Sequence, residues 1–194
     1  MKKVAIKTAI ITLASIVLVA CITLVVVMTA FPSAFASFCA NVGSYGVASR
    51  FELTAYERSG NVKSAVLSAD YAVMSGNDEL VCSSVGQLIG DDEFESFKAA
   101  HSDKIEFLTV RYVASRYKVE GASQALVDYA FSCLTGFKAH NQVESLIACA
   151  VDSSDKVTLS AILDGLNQLK TQPLSAEDNS RLDAAIEVVE RALQ

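Results

Sequence analysis

The chain has few residues that break helices and no sustained β-strand pattern. Only two of its 194 residues are proline, Pro32 and Pro173. Strict alternation of apolar and polar residues is not sustained anywhere along the chain. Ala, Ser, Leu, Glu and Lys dominate between the turn residues, and this composition favours helix. The sequence therefore predicts an all-α protein.

Charge is missing from one long stretch near the N-terminus. The segment Thr8–Phe31 holds 24 residues without a charged side chain. As a helix it would be about 36 Å long, enough to cross a hydrocarbon core of about 30 Å. Three lysines, at positions 2, 3 and 7, precede it, and no Lys or Arg follows until Arg50. We therefore predict a single-pass cell-membrane protein with a cytoplasmic N-terminus and an extracytoplasmic C-terminal domain.

Three fates of this segment agree with the sequence. It can stay as an uncleaved anchor, which its length favours, because the apolar core of a signal peptide is normally about 7–15 residues. Ala34-Phe35-Ala36 is an A-x-A cleavage site, so release after Ala36 is an alternative. Leu18-Val19-Ala20-Cys21 resembles a lipobox, although apolar residues follow Cys21. Each fate places the rest of the chain outside the cytoplasm, and we predict two domains, residues 1–36 and 37–194.

The predicted exported domain is acidic. Residues 37–194 contain all 22 acidic residues and 13 of the 16 basic ones, a net charge of −9. A field of this sign disfavours binding to nucleic acid or to anionic lipid headgroups.

Cysteine motifs for redox or zinc chemistry are absent, since no C-x-x-C occurs. Four cysteines lie outside the apolar segment: Cys39, Cys82, Cys133 and Cys149. They fit either small core residues with free thiols or, in an oxidising compartment, up to two disulfides. If one bridge forms, we expect Cys133–Cys149, because the two lie on consecutive predicted helices.

No sequence motif for catalysis stands out. The chain has no phosphate loop, dinucleotide fingerprint or zincin motif. Its two histidines, His101 and His140, lie at predicted helix ends, where a histidine can interact favourably with the helix dipole. Ser153 and Lys156 form an S-x-x-K without its partner motifs, so a turn with a helix cap is the better interpretation. We expect no catalytic residue, cofactor or bound metal.

Turn signals divide residues 36–194 into nine predicted helices. Gly60 is the predicted left-handed end of the first, and Asp103 with Glu106 resembles a capping box. The last helix is amphipathic, with Glu187–Arg191 and Glu177–Arg181 as i,i+4 ion pairs. The nine predicted helices span about 36–58, 62–74, 78–89, 91–101, 103–120, 123–136, 141–151, 156–170 and 175–193.

A motif of small residues recurs with a period of about 34 residues. Val47-Ala48-Ser49-Arg50-Phe51 returns as Val113-Ala114-Ser115-Arg116-Tyr117, and related segments begin at Val81 and Ile147. The starts are 34, 32 and 34 residues apart. Periods of this length are typical of helical-hairpin repeats.

At these positions the chain resembles the tetratricopeptide-repeat family. That family's hairpin has an aromatic residue, Gly four residues on, Ala five further and Ala seven further, which Tyr56, Gly60, Ala65 and Ala72 match. Tyr117, Gly121 and Cys133 match in kind, with Leu126 at the remaining position. The resemblance covers about residues 44–171 and implies an α-solenoid of about four hairpins with a C-terminal capping helix. A plain helical bundle is the alternative.

The resemblance implies binding of a protein or peptide. We therefore expect a membrane-anchored extracytoplasmic scaffold or adaptor without catalytic activity. Candidate partner-binding residues on the first helices of the hairpins are Arg50, Tyr112, Arg116 and Tyr117. The alternatives are a secreted helical protein released after Ala36, a structural subunit of a membrane complex and an unrecognised hydrolase.

Overall fold

The computed structural model describes the backbone of residues 2–137 and 141–194, and the side chains of residues 11–134 and 141–194. Within these ranges all regular secondary structure is helical, which confirms the predicted all-α class. His140 lies outside the described residues. The elements are α1 Lys2–Ala30, α2 Pro32–Asn41, α3 Tyr45–Ser59, α4 Val62–Ser75, α5 Asp78–Gly90, a 3-10 turn Asp92–Phe94, α6 Glu95–Ala100, α7 Ser102–Glu120, α8 Gln124–Phe137, α9 Asn141–Asp152, α10 Lys156–Leu169 and α11 Ala176–Leu193.

Helix α1 contains the apolar segment predicted from the sequence. Its stretch Ile11–Ala30 has a mean hydropathy of 2.9, and none of it is buried inside the protein. By length and composition it is able to cross a membrane. The helix ends at Ala30, because Phe31 has φ −132° and ψ 61° and Pro32 starts the next helix.

The chain forms two compact units, Met1–Ser75 and Gly76–Gln194. In the first unit α3 packs against both α2 and α4. The helix predicted for residues 36–58 is in fact two helices, α2 and α3. Gly43 separates them with φ 78°, a conformation that other residues adopt at a cost. Ala36 and Cys39 on α2 are buried together with Ala48 on α3.

Small side chains fill the interface between α3 and α4. Ser49 Oγ donates to the Ser68 carbonyl at 2.9 Å, and Ser68 Oγ donates to the Ser49 carbonyl at 2.9 Å. Gly60 ends α3 in the left-handed conformation, as predicted, and its N–H donates to the Tyr56 carbonyl at 2.7 Å. The buried alanines are Ala48, Ala55, Ala65, Ala69 and Ala72.

A carboxylate is buried in the same unit. Glu52 on α3 is 1% exposed and accepts a hydrogen bond from the Ser33 hydroxyl at 3.0 Å. Ser33 belongs to the first turn of α2, where free backbone N–H groups favour a negative charge. At the end of α3, the Arg58 guanidinium donates to the carbonyl of Thr29 in the last turn of α1. These contacts join α1, α2 and α3.

In the second unit α5 packs against α7, although the sequence predicts α6 as its hairpin partner. The predicted helix 91–101 begins as a 3-10 turn, since the Asp91 side chain accepts from the Glu93 N–H at 2.9 Å. Only six residues, Glu95–Ala100, remain for α6. A helix this short covers little of α5, and the longer α7 takes its place.

Helices α7 and α9 lie side by side and run in the same direction. The amide of Asn141, at the start of α9, donates to Glu106 near the start of α7. Near the other ends, Tyr117 Oη lies 2.5 Å from Ser153 Oγ. Helix α11 runs antiparallel to α10 and packs on both α9 and α10.

Branched aliphatic side chains form the core of the second unit. Helices α7 to α11 all contribute to it, and Leu182 and Val189 carry the apolar face of the amphipathic α11, as predicted. Residues of this core that are fully buried include Val113, Leu126, Leu146, Leu159 and Ile162.

The helix caps confirm some predictions and correct one. Asp155 accepts from the Thr158 N–H at 3.1 Å, and Ser175 accepts from the Asp178 N–H at 3.0 Å, so both cap as predicted. The predicted capping box of Asp103 with Glu106 is wrong. Helix α7 already begins at Ser102, so Asp103 lies within its first turn.

The ion pairs predicted for α11 differ in outcome. Glu187 and Arg191 pair at 2.6 Å, as predicted. Arg181 forms its ion pair with Glu144 on α9 at 2.9 Å, whereas Glu177 was the predicted partner. Arg181 pairs with Glu144 because the packing of α11 on α9 brings that carboxylate within reach of the guanidinium.

Candidate binding site

The four predicted contact residues belong to two different units. Arg50 is exposed on α3 in the first unit, whereas Tyr112, Arg116 and Tyr117 lie on α7 in the second. Tyr112 and Arg116 are one turn apart and touch each other. The contact of Tyr112 with Arg116 follows from their spacing on one helix, and Arg50 belongs to the other unit.

Tyr112 and Arg116 form a half-buried cluster on α7. The guanidinium lies 5.6 Å from the centroid of the Tyr112 ring and pairs with Glu120 at 2.7 Å. The ring also meets Tyr129 edge-on at 5.4 Å. A Cβ added to Gly86 would lie 3.0 Å from the Tyr112 ring, so glycine permits this close approach. Burial raises the pKa of Tyr112, and the nearby Arg116 opposes that rise.

Tyr117 has a structural role. Its hydroxyl donates to Asp155 at 3.1 Å and lies 2.5 Å from the Ser153 hydroxyl. The Thr158 hydroxyl also donates to Asp155, at 2.7 Å, and this bond lowers the pKa of Asp155. The contacts fix the turn between α9 and α10 to the end of α7. The S-x-x-K segment is thus a turn followed by a helix cap, as predicted.

The cysteines are free thiols in the structure. Cys133 is buried beside Tyr129, and Cys149 is half-buried, with Lys118 among the charged groups near it. Burial raises the pKa of both thiols. A Cys133–Cys149 disulfide, the pairing expected if any bridge formed, is not present.

A groove between α9 and α11 is the most apolar open cavity described in the second unit. Its volume is about 500 Å³. Ile147, Ala148 and Val151 line it from α9, and Ala184, Ala185 and Val188 line it from α11. Val151 is 36% exposed and Val188 is 46% exposed, so these apolar side chains meet solvent along the groove.

Charged residues mark the two ends of this groove. At one end Arg181 bridges the helices, donating to Glu144 at 2.9 Å and to Asn141 at 3.2 Å. Asp152, exposed at the last residue of α9, lines the other end. A groove with an apolar floor and charged residues at its ends is suited to binding the apolar face of an amphipathic helix.

The sequence analysis missed this groove, although a signal for it exists. Helix α11 carries a second apolar pair, Ala184 and Val188, beside the stripe that faces the core. Helix α9 carries Ala148 and Val151 in the same way. Apolar residues in excess of one core-facing stripe on two helices indicate a second buried or binding face.

A second cleft, of about 360 Å³, lies between α8 and α10. Its lining includes the carboxylates of Asp128 and Asp164 and three glutamine amides, but no Ser, Cys, His or Lys. The Phe131 ring closes against Gly165, where an added Cβ would lie 2.7 Å from a ring carbon. The amides and carboxylates of this cleft can form hydrogen bonds.

In the described part of the chain no three His, Cys, Asp or Glu side chains cluster as metal ligands do. His101 stacks on Phe97 with ring centroids 4.3 Å apart at the junction of α6 and α7. Comparison of the chain with models of protein families, with curated proteins and with solved structures found no match.

Proposed function

We propose that the chain is a membrane-anchored, extracytoplasmic interaction module whose groove between α9 and α11 binds the apolar face of a helix from another protein. It acts as a scaffold or adaptor and not as an enzyme. The observation that carries this proposal is the groove itself, with exposed valines over an apolar floor and an ion pair at one end.

Helix α1 supports the anchor. Its 20-residue stretch has the length and hydropathy of a membrane span, three lysines precede it, and no Lys or Arg follows it until Arg50. The positive-inside rule then puts the C-terminal domain outside the cytoplasm.

Helix α2 supports retention of the anchor over release after Ala36. Cleavage there would remove Phe35, whose ring lies 4.7 Å from that of Phe51. It would also remove Ser33 and leave the buried Glu52 carboxylate without that hydroxyl donor, a costly arrangement. The domain is therefore more stable with the N-terminal segment attached.

The spacing of contacts between helices supports a solenoid-like stack over α7 to α11. Asn141 and Ser145 on α9 bond to Glu106 and Val110 on α7, each 35 residues earlier, and Arg181 on α11 bonds to Glu144 on α9, 37 residues earlier. Steps of similar length are what stacked hairpins produce. Because α5 pairs with α7, we propose that the tetratricopeptide-like arrangement is confined to this part of the chain.

Photo-crosslinking in native membranes tests the binding site. A photoreactive phenylalanine replaces Val188 in the groove and, as the matched control, Val157, which is 83% exposed on α10 and outside the groove. We expect a discrete adduct only from position 188. A further substitution, Ala148→Glu, should abolish it, since a carboxylate on the apolar floor opposes burial of the partner's apolar face. Equal adducts at both positions, or an adduct that survives Ala148→Glu, would contradict the proposal.

A further inference from the structure

Among the residues that the structure describes, one apolar face of α2 is exposed to solvent. Phe31 precedes the helix, Phe38 lies on it and Val42 follows it, and their exposed fractions are 62%, 60% and 64%. At about 100° per residue, position 42 at the end of the helix falls about 40° from position 38, so Val42 and Phe38 share one side of α2. The opposite side of α2 carries Ala36, which is buried against α3. The helix thus has one face in the protein core and one apolar face outside it.

The sequence segment that carries this face has no charged residue. From Thr8 through Ser49 the sequence has no Lys, Arg, Asp or Glu, so the uncharged stretch continues well past the end of α1. Such a segment loses no ionic hydration when it enters the boundary between lipid headgroups and acyl chains. Phenylalanine and valine side chains gain by leaving water there.

Chain geometry puts α2 beside the end of the proposed span. Only Phe31 separates the two helices, and its non-helical backbone means that α2 does not continue the axis of α1. The hydrogen bond from Arg58 to the Thr29 carbonyl also holds α3 at the end of α1. A helix fixed at this position lies at the depth of the membrane interface.

We propose that α2 is an interfacial helix whose face of Phe31, Phe38 and Val42 is embedded in the outer boundary of the bilayer that α1 crosses. This inference rests on the proposed anchor. The occupant of the face is lipid, because the face is continuous with the apolar surface of α1 and has no ionic group for a charged partner. The contact would hold the first unit against the membrane surface.

The absence of tryptophan from the chain allows a direct test, since each Trp introduced is the only one present. Four single variants of the full chain are reconstituted into phosphatidylcholine vesicles: Phe38→Trp and Val42→Trp on the face, Ser37→Trp on the polar side of α2, and Leu24→Trp in α1. Quenching by brominated acyl chains reports lipid contact, and quenching by iodide reports contact with water.

We expect lipid quenching at positions 24, 38 and 42, and iodide quenching about threefold weaker at position 38 than at position 37. Equal iodide access at positions 37 and 38, with Leu24→Trp quenched by lipid, would overturn the interfacial helix and leave the anchor standing. Protection of position 38 from both quenchers would mean that protein covers the face, which also overturns the inference. A Leu24→Trp that lipid does not quench would overturn the anchor, and with it this inference.

Discussion

The two units pack their helices with different side chains. Most buried residues of α3 and α4 are alanines and serines, with Glu52 and Tyr56 beside them on α3, and two hydroxyls bond to the backbone of the opposite helix. Around α9 and α10 the buried residues are mainly Leu, Ile and Val. Small side chains let backbones approach closely and make contact and hydrogen bonding the main attractions, as in membrane helices. Large aliphatic side chains stabilise mainly through the area that they remove from water.

The comparison teaches where each unit is vulnerable. A core of alanine and serine has little volume to lose and no room for more. A core of leucine and isoleucine has much to lose when a side chain is cut back. Substitutions of opposite kinds should therefore damage the two units.

The largest effect should follow truncation in the second unit. Leu146 is fully buried, so Leu146→Ala should lower the free energy of unfolding by about 3–5 kcal/mol through lost burial and a cavity. Hydrogen exchange of the full chain in detergent micelles should show faster exchange in α9 and α10. Unchanged exchange in these helices would mean that the aliphatic core is not what holds this unit.

Enlargement in the first unit should have the next largest effect. Ala69 is fully buried between α3 and α4, so Ala69→Leu should cost about 1–3 kcal/mol by forcing the helices apart. The same exchange measurement should show lost protection in α3 and α4. Ala99→Leu on exposed α6 is the control and should be nearly neutral. If Ala69→Leu left the free energy of unfolding unchanged, the α3–α4 interface would have spare volume, and the proposed difference in vulnerability between the two units would be wrong.

Loss of a serine hydroxyl in the first unit should have a smaller effect. Ser49→Ala and Ser68→Ala should each cost about 1 kcal/mol, because each leaves a buried carbonyl without that donor. Thermal unfolding of both single variants and the double variant gives their coupling. Costs that simply add would mean that the two hydroxyls act independently.

The smallest effect concerns a polar group at a helix end in the second unit. Asp155→Asn should cost less than about 1 kcal/mol at neutral pH, because asparagine also caps helices. The pKa of Asp155 is lowered by its bond from Thr158, so the charged carboxylate stabilises the fold above about pH 4. This contribution is lost as the pH falls through the lower pKa of the folded state. The stability difference between the two proteins should therefore vanish in acid, and a difference that persists there would exclude the carboxylate charge as its cause.

Local signals made much of the fold predictable. The all-α class, the apolar N-terminal helix, the end of α3 at Gly60 and the caps at Asp155 and Ser175 all depend on residues close together in sequence. The split of the first predicted helix at Gly43 was missed, although Asn41, Gly43 and Ser44 form a cluster of turn residues. The pairing of α5 with α7 was missed because it depends on the length of α6. The 3-10 turn at Asp92–Phe94 shortens α6 to six residues, and no sequence pattern predicted that turn.

The candidate site was less predictable than the fold. The contact between Tyr112 and Arg116 was predictable because they lie one turn apart on a single helix. The groove depends on α9 and α11, whose residues Glu144 and Arg181 are far apart in sequence and form a pair that no local pattern shows. Tyr117 has a residue type typical of binding surfaces, and only its contacts with Asp155 and Ser153 reveal a structural role.

Because Ala36 is buried in α2, cleavage after this residue depends on how soon α2 folds. A protease takes an extended backbone into its active site, and residues 34–36 are extended only until α2 forms. If the domain is exported as proposed, signal peptidase and helix formation compete for the same few residues. A fast-folding α2 would preserve the anchor, whereas a substitution that delays α2 would let the enzyme cut first and turn a tethered protein into a secreted one.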